Sequence, residues 1–374
     1  MAQYEYDNLR NKYGNFARAE KVIKIDGVDF TTNKIGAHID NVNVSLSCGM
    51  EAATATYDIC NCFCDVTGKY LSKEIEKFIQ LGSCVSIALG YENSLKEVFL
   101  GVITKVVFSG SLSNKSSIKI TAMDAKKVMM LGKYEKNIEA SSYSQAVGKI
   151  LREIPSSENL IKEKKIENTE ELKKDDKKVS VIPMTEESYY DFIKKAAAKY
   201  NFEFYIVCGT VYFQKAKKDK SILIELSPDK GLTDFSVGYD FTEMRKSVEI
   251  RTTDSSKAQV VAGCKNINIT IPNGKYVKKF LSDSIQVEKN IVVNSKEEAQ
   301  QRAEEIAEKI SYRLSSLSSS ITGIPELVPG RFVKVAGLQV PEDHIFYIEQ
   351  VTHSISIGSG YKTSLTGKGT GRGV

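Results

Sequence analysis

The sequence holds only three histidines, no apolar run long enough to cross a membrane, and no paired CxxC knuckles. Each shortage narrows the function. Histidine is the usual acid–base group near neutral pH. Here His38 precedes a strand pattern beside Asp40, His344 sits in a loop-like stretch beside Asp343, and His353 lies inside a strand pattern. A membrane-spanning helix needs roughly 18–20 apolar residues in a row. Met1 to Arg10 is polar and charged, so the expectation is a chain without a secretory leader that folds in the cytoplasm.

Chemical motifs are equally scarce. No GxSxG elbow presents a serine for a Ser-His-Asp site. The run Gly367-Lys368-Gly369-Thr370-Gly371 lacks the spacing of a phosphate loop and has no helix after it. Glu186-Glu187 falls at an expected helix start, where the dipole accounts for it, and spacing alone identifies no glycosidase pair. A Cys–His pair using His353 stays open, since only geometry could reveal it. The reading is of no catalytic, cofactor-binding or metal residue, and of no cofactor.

What is present is mixed charge and short strands. Against 47 Asp+Glu stand 52 Lys+Arg, a net charge of +5; so even a mixture is not the footprint of a dedicated nucleic-acid binder. Of the seven cysteines, Cys60, Cys62 and Cys64 alternate along a strand-like run and are expected on one face. Cys48 and Cys84 lie on neighbouring candidate strands. A metal cluster is conceivable, but the spacing suits small buried side chains better, and these cysteines are expected to bind no metal.

In residues 41–47, Val42, Val44 and Leu46 alternate with polar neighbours, and residues 55–63 repeat this with Ala55, Tyr57, Ile59 and Phe63. Leu71, Ile75, Phe78 and Ile79 have helical spacing. Strand-like runs follow at 84–89, 98–108 and 118–123, separated by turn-rich 90–94 and 110–116. A β-barrel or sandwich is expected. Residues 142–154 predict a helix with Ala146, Val147, Ile150 and Leu151 inside, stopped by Pro155. The charged stretch 156–178 reads as an exposed loop that could be shortened at little cost. Thr185 is expected to cap a second helix burying Tyr189, Phe192, Ile193, Ala196, Ala197 and Tyr200. Strands 202–207 and 210–214 then turn at Cys208-Gly209. Short strands fill 221–293. A long helix starts at Ser295 with Glu298 in capping-box spacing, and Ala299, Ala303, Ile306, Ile310, Leu314 and Leu317 mark its buried side. Strands at 330–336, 345–357 and 361–365 close the pattern, and 367–374 reads as a Gly-rich basic tail that buries nothing.

Three stretches carry a resemblance. The first runs from Leu81-Gly82-Ser83 through Leu89-Gly90-Tyr91 to Phe99-Leu100-Gly101-Val102-Ile103. The second is the segment from Met184 to Ile193, with Glu187-Ser188 and Asp191-Phe192 before a hairpin. The third is the C-terminal set Gly323, Pro329-Gly330, Val333, Val335, Gly337, Tyr347, Val351, His353, Tyr361, Thr363 and Leu365. Their order resembles the phage late control protein D family, the hub proteins of contractile tails, and is similar to the hub region of the VgrG proteins of type VI secretion.

The resemblance implies a mainly β (α+β) fold: two tube-protein-like β-barrel domains with a smaller α/β insertion. The expected divisions are 1–135 for the first barrel, 136–220 for the insertion, 221–366 for the second barrel with its long helix, and 367–374 for the tail. It implies a non-enzymatic baseplate hub, a homotrimer whose ring adapts the sixfold tail tube above to a threefold spike below, with wedge proteins around it. Because the chain stops at Val374, the spike is expected to be a separate polypeptide. No specific nucleic acid and no membrane insertion by this chain are implied. The expected location is the bacterial cytoplasm during assembly, then a phage virion or released tail-like particle such as a bacteriocin. Readings from other classes are a tail-associated peptidoglycan hydrolase and a host-surface adhesin.

Overall fold

The computed structural model describes residues 2–30, 37–64, 69–70, 75–92, 94–111, 114–155, 157–169, 180–254, 259–267, 275–289, 296–338 and 344–371. Alternating apolar residues turn the ends of the chain into strands, as the period-2 pattern demands. Val42, Val44 and Leu46 are buried along strand His38–Ser47, and Ala55, Tyr57 and Ile59 along strand Thr54–Cys60. The fold is mainly β, as expected, and is built on a large sheet.

Thirteen of the described strands join that sheet. Its path runs Leu232–Tyr239, Ser315–Thr322, Gly360–Gly369, His344–Ser356, His38–Ser47, Thr54–Cys60, Asn114–Met123, Ser94–Ser111, Cys84–Tyr91, Ala19–Ile25 and Val28–Asp29. Phe332–Val335 attaches to His344–Ser356, and Ile222–Leu226 attaches to Phe332–Val335. The two β-rich ends of the sequence therefore meet in one sheet, through His344–Ser356 beside His38–Ser47. One apolar cluster spans both, from Ile23, Val44, Tyr57 and Ile120 to Leu223, Ile321, Phe346 and Leu365.

The N-terminal segment crosses to the far half. Gln3 and Tyr4 donate backbone hydrogen bonds to the carbonyls of Ile222 and Leu223 at 2.8 and 2.9 Å. Helix Tyr6–Lys12 follows, and the Lys12 ammonium and Tyr13 hydroxyl both reach Glu326 Oε1, at 2.8 and 2.7 Å.

The α/β insertion has its own core. Helix Tyr143–Glu153 is capped by Ser142 and buries Ala146, Val147, Ile150 and Leu151, as its spacing predicts. Helix Tyr189–Lys199 packs with it over hairpin Phe202–Val207 and Thr210–Lys215. The hairpin turns at Cys208 (φ 48) and Gly209 (φ 80), the pair of positive φ values a two-residue turn needs. Two expectations need correction. The helix cap is Ser188, whose Oγ accepts from Asp191 N at 3.0 Å, and not Thr185. Thr185, Glu186 and Glu187 lie in strand Val181–Glu187, paired with Tyr134–Glu139. Hydroxyls at 185 and 188 look alike in sequence, and strand pairing decides between them.

The charged stretch after Pro155 is not simply a loop. Ser157–Leu160 is a helical turn, Leu160 and Ile161 are buried in the insertion core, and Glu163–Ile166 adds a parallel strand beside Thr210–Lys215. A few apolar residues suffice because an edge strand buries one face only, and its lysines guard the open edge. Residues 170–178 of that stretch lie outside the described residues.

A smaller sheet of Ser247–Asp254, Gln259–Asn266 and Ile285–Glu288 carries the long helix Lys296–Ser311. The helix buries Ala299, Ala303, Ala307 and Ile310 against Val248 and Ile250. It ends before Leu314, and Leu317 belongs to strand Ser315–Thr322 facing the main core. The expected cap Ser295, like Leu71 and Asp343, lies outside the described residues.

The expected tail is also corrected. Strand Gly360–Gly369 runs through Gly367, Lys368 and Gly369. A Cβ at Gly367 would stand 2.8 Å from the Tyr347 carbonyl oxygen, so glycine here permits close strand approach.

Candidate functional site

His344, His353 and the buried acids serve as joints. His353 is fully buried. Its Nε2 donates to the Leu327 carbonyl at 3.2 Å, and its Nδ1 accepts from the Tyr361 hydroxyl at 2.9 Å, with Thr363 Oγ1 at 3.2 Å. Burial lowers its pKa to about 4. His344 is buried at the start of its strand and meets the Tyr239 hydroxyl. His38 is exposed at the start of His38–Ser47. No cysteine sulfur is hydrogen-bonded to His353 among the described contacts, which leaves the Cys–His pair without geometry.

Asp124 and Lys126 form a buried polar joint beside the insertion core, in which their neighbour Ala125 is buried. Asp124 accepts from Ala53 N at 3.1 Å and Lys126 N at 3.0 Å. The buried Lys126 ammonium donates to the carbonyls of Gly49 and Glu51 at 2.9 and 2.8 Å. Burial raises the Asp124 pKa and lowers that of Lys126.

The cysteines divide. Strand Thr54–Cys60 ends at Asn61 (φ 55), which breaks the expected alternation. Cys60 stays half-buried on the outer face while Cys62 is fully buried, with Sγ 3.3 Å from the Ile59 carbonyl. The two do not share a face; a left-handed residue between them defeats period-2 counting. Nothing is described of the Cys64 side chain. Cys48 packs with Tyr205, Tyr312, Phe332 and Tyr347. Burial pushes its thiol up to about 12, which leaves little thiolate at neutral pH. Cys84 is half-buried near the Asn159 carbonyl. Among the described residues no group of three His, Cys, Asp or Glu is placed to hold a metal.

A cleft of about 1010 Å³ opens between the sheet, the insertion and the long helix. Glu203, Lys217, Glu308, Arg313 and Lys368 line it. The half-buried Glu203 accepts from the Tyr347 hydroxyl, and desolvation raises its pKa. Lys217 stands 4.7 and 5.1 Å from the Tyr312 and Tyr347 ring centres. This is cation–π and hydrogen-bond chemistry that holds three elements together.

The feature with assembly geometry is the sheet itself. In space, the C-terminal strands stand in the order Leu232–Tyr239, Ser315–Thr322, Gly360–Gly369, His344–Ser356. The N-terminal strands stand as His38–Ser47, Thr54–Cys60, Asn114–Met123, Ser94–Ser111. Each set places its members first, second, fourth and third in chain order, and every pairing is antiparallel. The likeness extends to register. A bulge falls between Ile103 and Lys105 in one set and between Ile348 and Gln350 in the other. From those bulges, cross-strand partners run Ile103, Ala122, Ala55, Val44 and Ile348, Gly367, Leu317, Val237. The chain thus carries one four-strand unit twice. Ile103 matches Ile348 and Val44 matches Val237, but Ala122 and Ala55 answer to Gly367 and Leu317, so the register shows the repeat where the sequence does not.

A family model described as Alg8 N-terminal domain matches residues 65–356. The chain belongs to that family. That description differs from late control protein D. No curated protein sequence matches this family member. Among solved structures, a 43 kDa tail protein of prophage MuSo2 from Shewanella oneidensis is similar, with TM-score 0.68 and 14% identity. That match covers 93% of this chain and 98% of the other. A tail protein from Neisseria meningitidis MC58 gives TM-score 0.66 and 12% identity, covering 95% and 97%. The E. coli c3393 protein, a type VI secretion component with structural similarity to T4 tail proteins gp27 and gp5, gives TM-score 0.55 and 13% identity, covering 93% and 76%. The fold is that of phage tail proteins.

Proposed function

We propose that the protein is the non-enzymatic baseplate hub of a contractile phage tail or tail-like injection particle, of the late control protein D kind. The observation that carries this reading is the repeated four-strand unit within one sheet. Two quasi-equivalent units per chain let three chains present six to a sixfold tube while keeping three for a spike. On this reading residues 1–135 and 221–366 carry the two tube-like domains, and 136–220 the insertion. The tube lies above the homotrimer, a separate spike protein below, and wedge proteins around it. The protein assembles in the bacterial cytoplasm and ends in the particle's baseplate.

Cryo-electron microscopy of the particle tip tests this. Three copies should occupy the junction of tube and spike, with a pseudo-sixfold face toward the tube; six copies there would refute the hub assignment. The hydrolase alternative makes an opposite forecast for the isolated protein. We expect purified cell walls to stay intact with it, and clearing that a single carboxylate or cysteine substitution abolishes would reverse the non-enzymatic reading.

A further inference from the structure

An exposed apolar patch lies away from the joints described above, on a turn at the smaller sheet. The run Lys275-Tyr276-Val277-Lys278-Lys279-Phe280-Leu281 winds through the helical turn Val277–Phe280. Val277 and Leu281 stand one turn apart. Val277 is buried, and Leu281 packs against the core that holds Met244, Val248 and Ile250. The same spacing puts Tyr276 and Phe280 together on the adjacent side. There they are 62% and 69% exposed. Phe241 joins them from another segment, its ring centre 6.4 Å from that of Phe280 and the two rings 14° from parallel. Large apolar rings gathered in water mark a contact surface.

Charge says what the surface meets. Lys275, Lys278 and Lys279 are exposed around the rings, and the Lys246 ammonium donates to the Ser282 carbonyl of the same turn at 2.9 Å. Against these lysines stands Asp283, while Glu243, beside Phe241 in the chain, is paired with Arg313 at 3.1 Å. The complement of such a surface is anionic. A protein hot spot fills a packed pocket and a nucleic-acid strand follows a basic groove, but rings as open as Tyr276 and Phe280 have no groove walls around them. A bilayer needs no pocket. It takes protruding rings at the level of its headgroups, while flanking lysines reach the lipid phosphates.

We propose that this turn is a peripheral attachment point for bilayers of anionic phospholipid. Tyr276 and Phe280 enter the interface, and Lys275, Lys278 and Lys279 lie on the headgroups. No backbone crosses the hydrocarbon, since the helical turn has 4 residues and a span needs roughly 20. The attachment belongs to the single chain and does not depend on the ring. On the hub reading, it holds the tip of the particle against the membrane it meets.

Co-sedimentation of the full chain with vesicles tests this. The protein should go down with vesicles of phosphatidylglycerol mixed with phosphatidylcholine, stay in solution with pure phosphatidylcholine, and come off as salt is raised. A lysine near an anionic surface is worth about fivefold in partition, so Lys278→Gln with Lys279→Gln should weaken binding about 25-fold. Phe280→Ser should weaken it about tenfold with every lysine in place. Both sites are exposed, so the melting temperature should stay at the parent's. Ile357→Ser, at a position 72% exposed in a hairpin turn of the large sheet, should bind like the parent. Equal binding to both kinds of vesicle, or binding that survives both sets of substitutions, overturns the proposal. So does a parent that ignores the vesicles and binds polyglutamate through the same residues, which would assign the surface to an acidic protein. None of these results bears on the hub assignment, which the copy number at the particle tip decides.

Discussion

Replacing Lys126 by methionine lowers the stability of the fold by about 3–5 kcal/mol, because two hydrogen bonds from a buried ammonium are lost, at about 1.5–3 kcal/mol each. The side chain is fully buried, so solvent screens little of the effect. Methionine fills much of the same volume, and what is lost is the ammonium. The carbonyls of Gly49 and Glu51 lose their donor, and the Asp124 carboxyl, its pKa already raised by burial, loses the charge that favours its ionised form. The segment between strands His38–Ser47 and Thr54–Cys60 is held from the insertion side by Lys126 and by the Tyr190 hydroxyl on the Met50 carbonyl. The damage should therefore fall on the docking of insertion to sheet. Chemical denaturation at pH 7 measures it. Adding Asp124→Asn to the variant should not recover the loss, because the two carbonyls still lack their donor. A variant within about 1 kcal/mol of the parent would show that these two hydrogen bonds contribute little net.

That joint was invisible in the sequence, and the reason is general to this chain. Alternation along 41–47 and 55–59, and the stripes of helices Tyr143–Glu153 and Tyr189–Lys199, are local patterns, and they were legible. Asp124-Ala125-Lys126 reads as an ordinary charged helix start; its burial depends on Gly49, Glu51 and Ala53, which lie some 70 residues away in the chain. The same limit hid the cap at Ser188 and the strand at Glu163–Ile166, both settled by partners distant in sequence. It also hid the repeat. Ala55 and Leu317, or Ala122 and Gly367, occupy matching places in the two units, yet only the register connects them. At Cys60 to Cys62 the failure was of another kind: one left-handed residue, Asn61, resets the alternation that strand counting assumes.

His353 makes the fold acid-sensitive, by up to about 3 kcal/mol between pH 6.5 and 4. Its ring is held neutral, with Nε2–H on the Leu327 carbonyl and Nδ1 accepting from Tyr361. Burial, the dominant cause, depresses the folded pKa to about 4 from an ordinary 6.5. Across that window the unfolded chain binds the proton and the folded chain does not, so stability rises with pH there and is lost as pH falls toward 4. Asp124 acts with the opposite sign: burial raises its folded pKa, so acidification favours the folded state at that residue. The parent's total pH profile mixes the two, and the informative quantity is the difference from a variant. His353→Gln should be less stable than the parent near pH 7, where it gives up well-made hydrogen bonds. The gap should then narrow by up to about 3 kcal/mol as pH falls from 7 to 4, because the variant has no ring left to protonate. Denaturation midpoints across that range, converted with a common slope, measure the narrowing. Parallel curves for parent and variant would mean that water reaches the ring and that the histidine titrates alike in both states. The region that should loosen first on acidification is the stretch tied to strand Gly360–Gly369, where Leu327 meets His353 and Ile324 N donates to Thr363 Oγ1 at 3.1 Å.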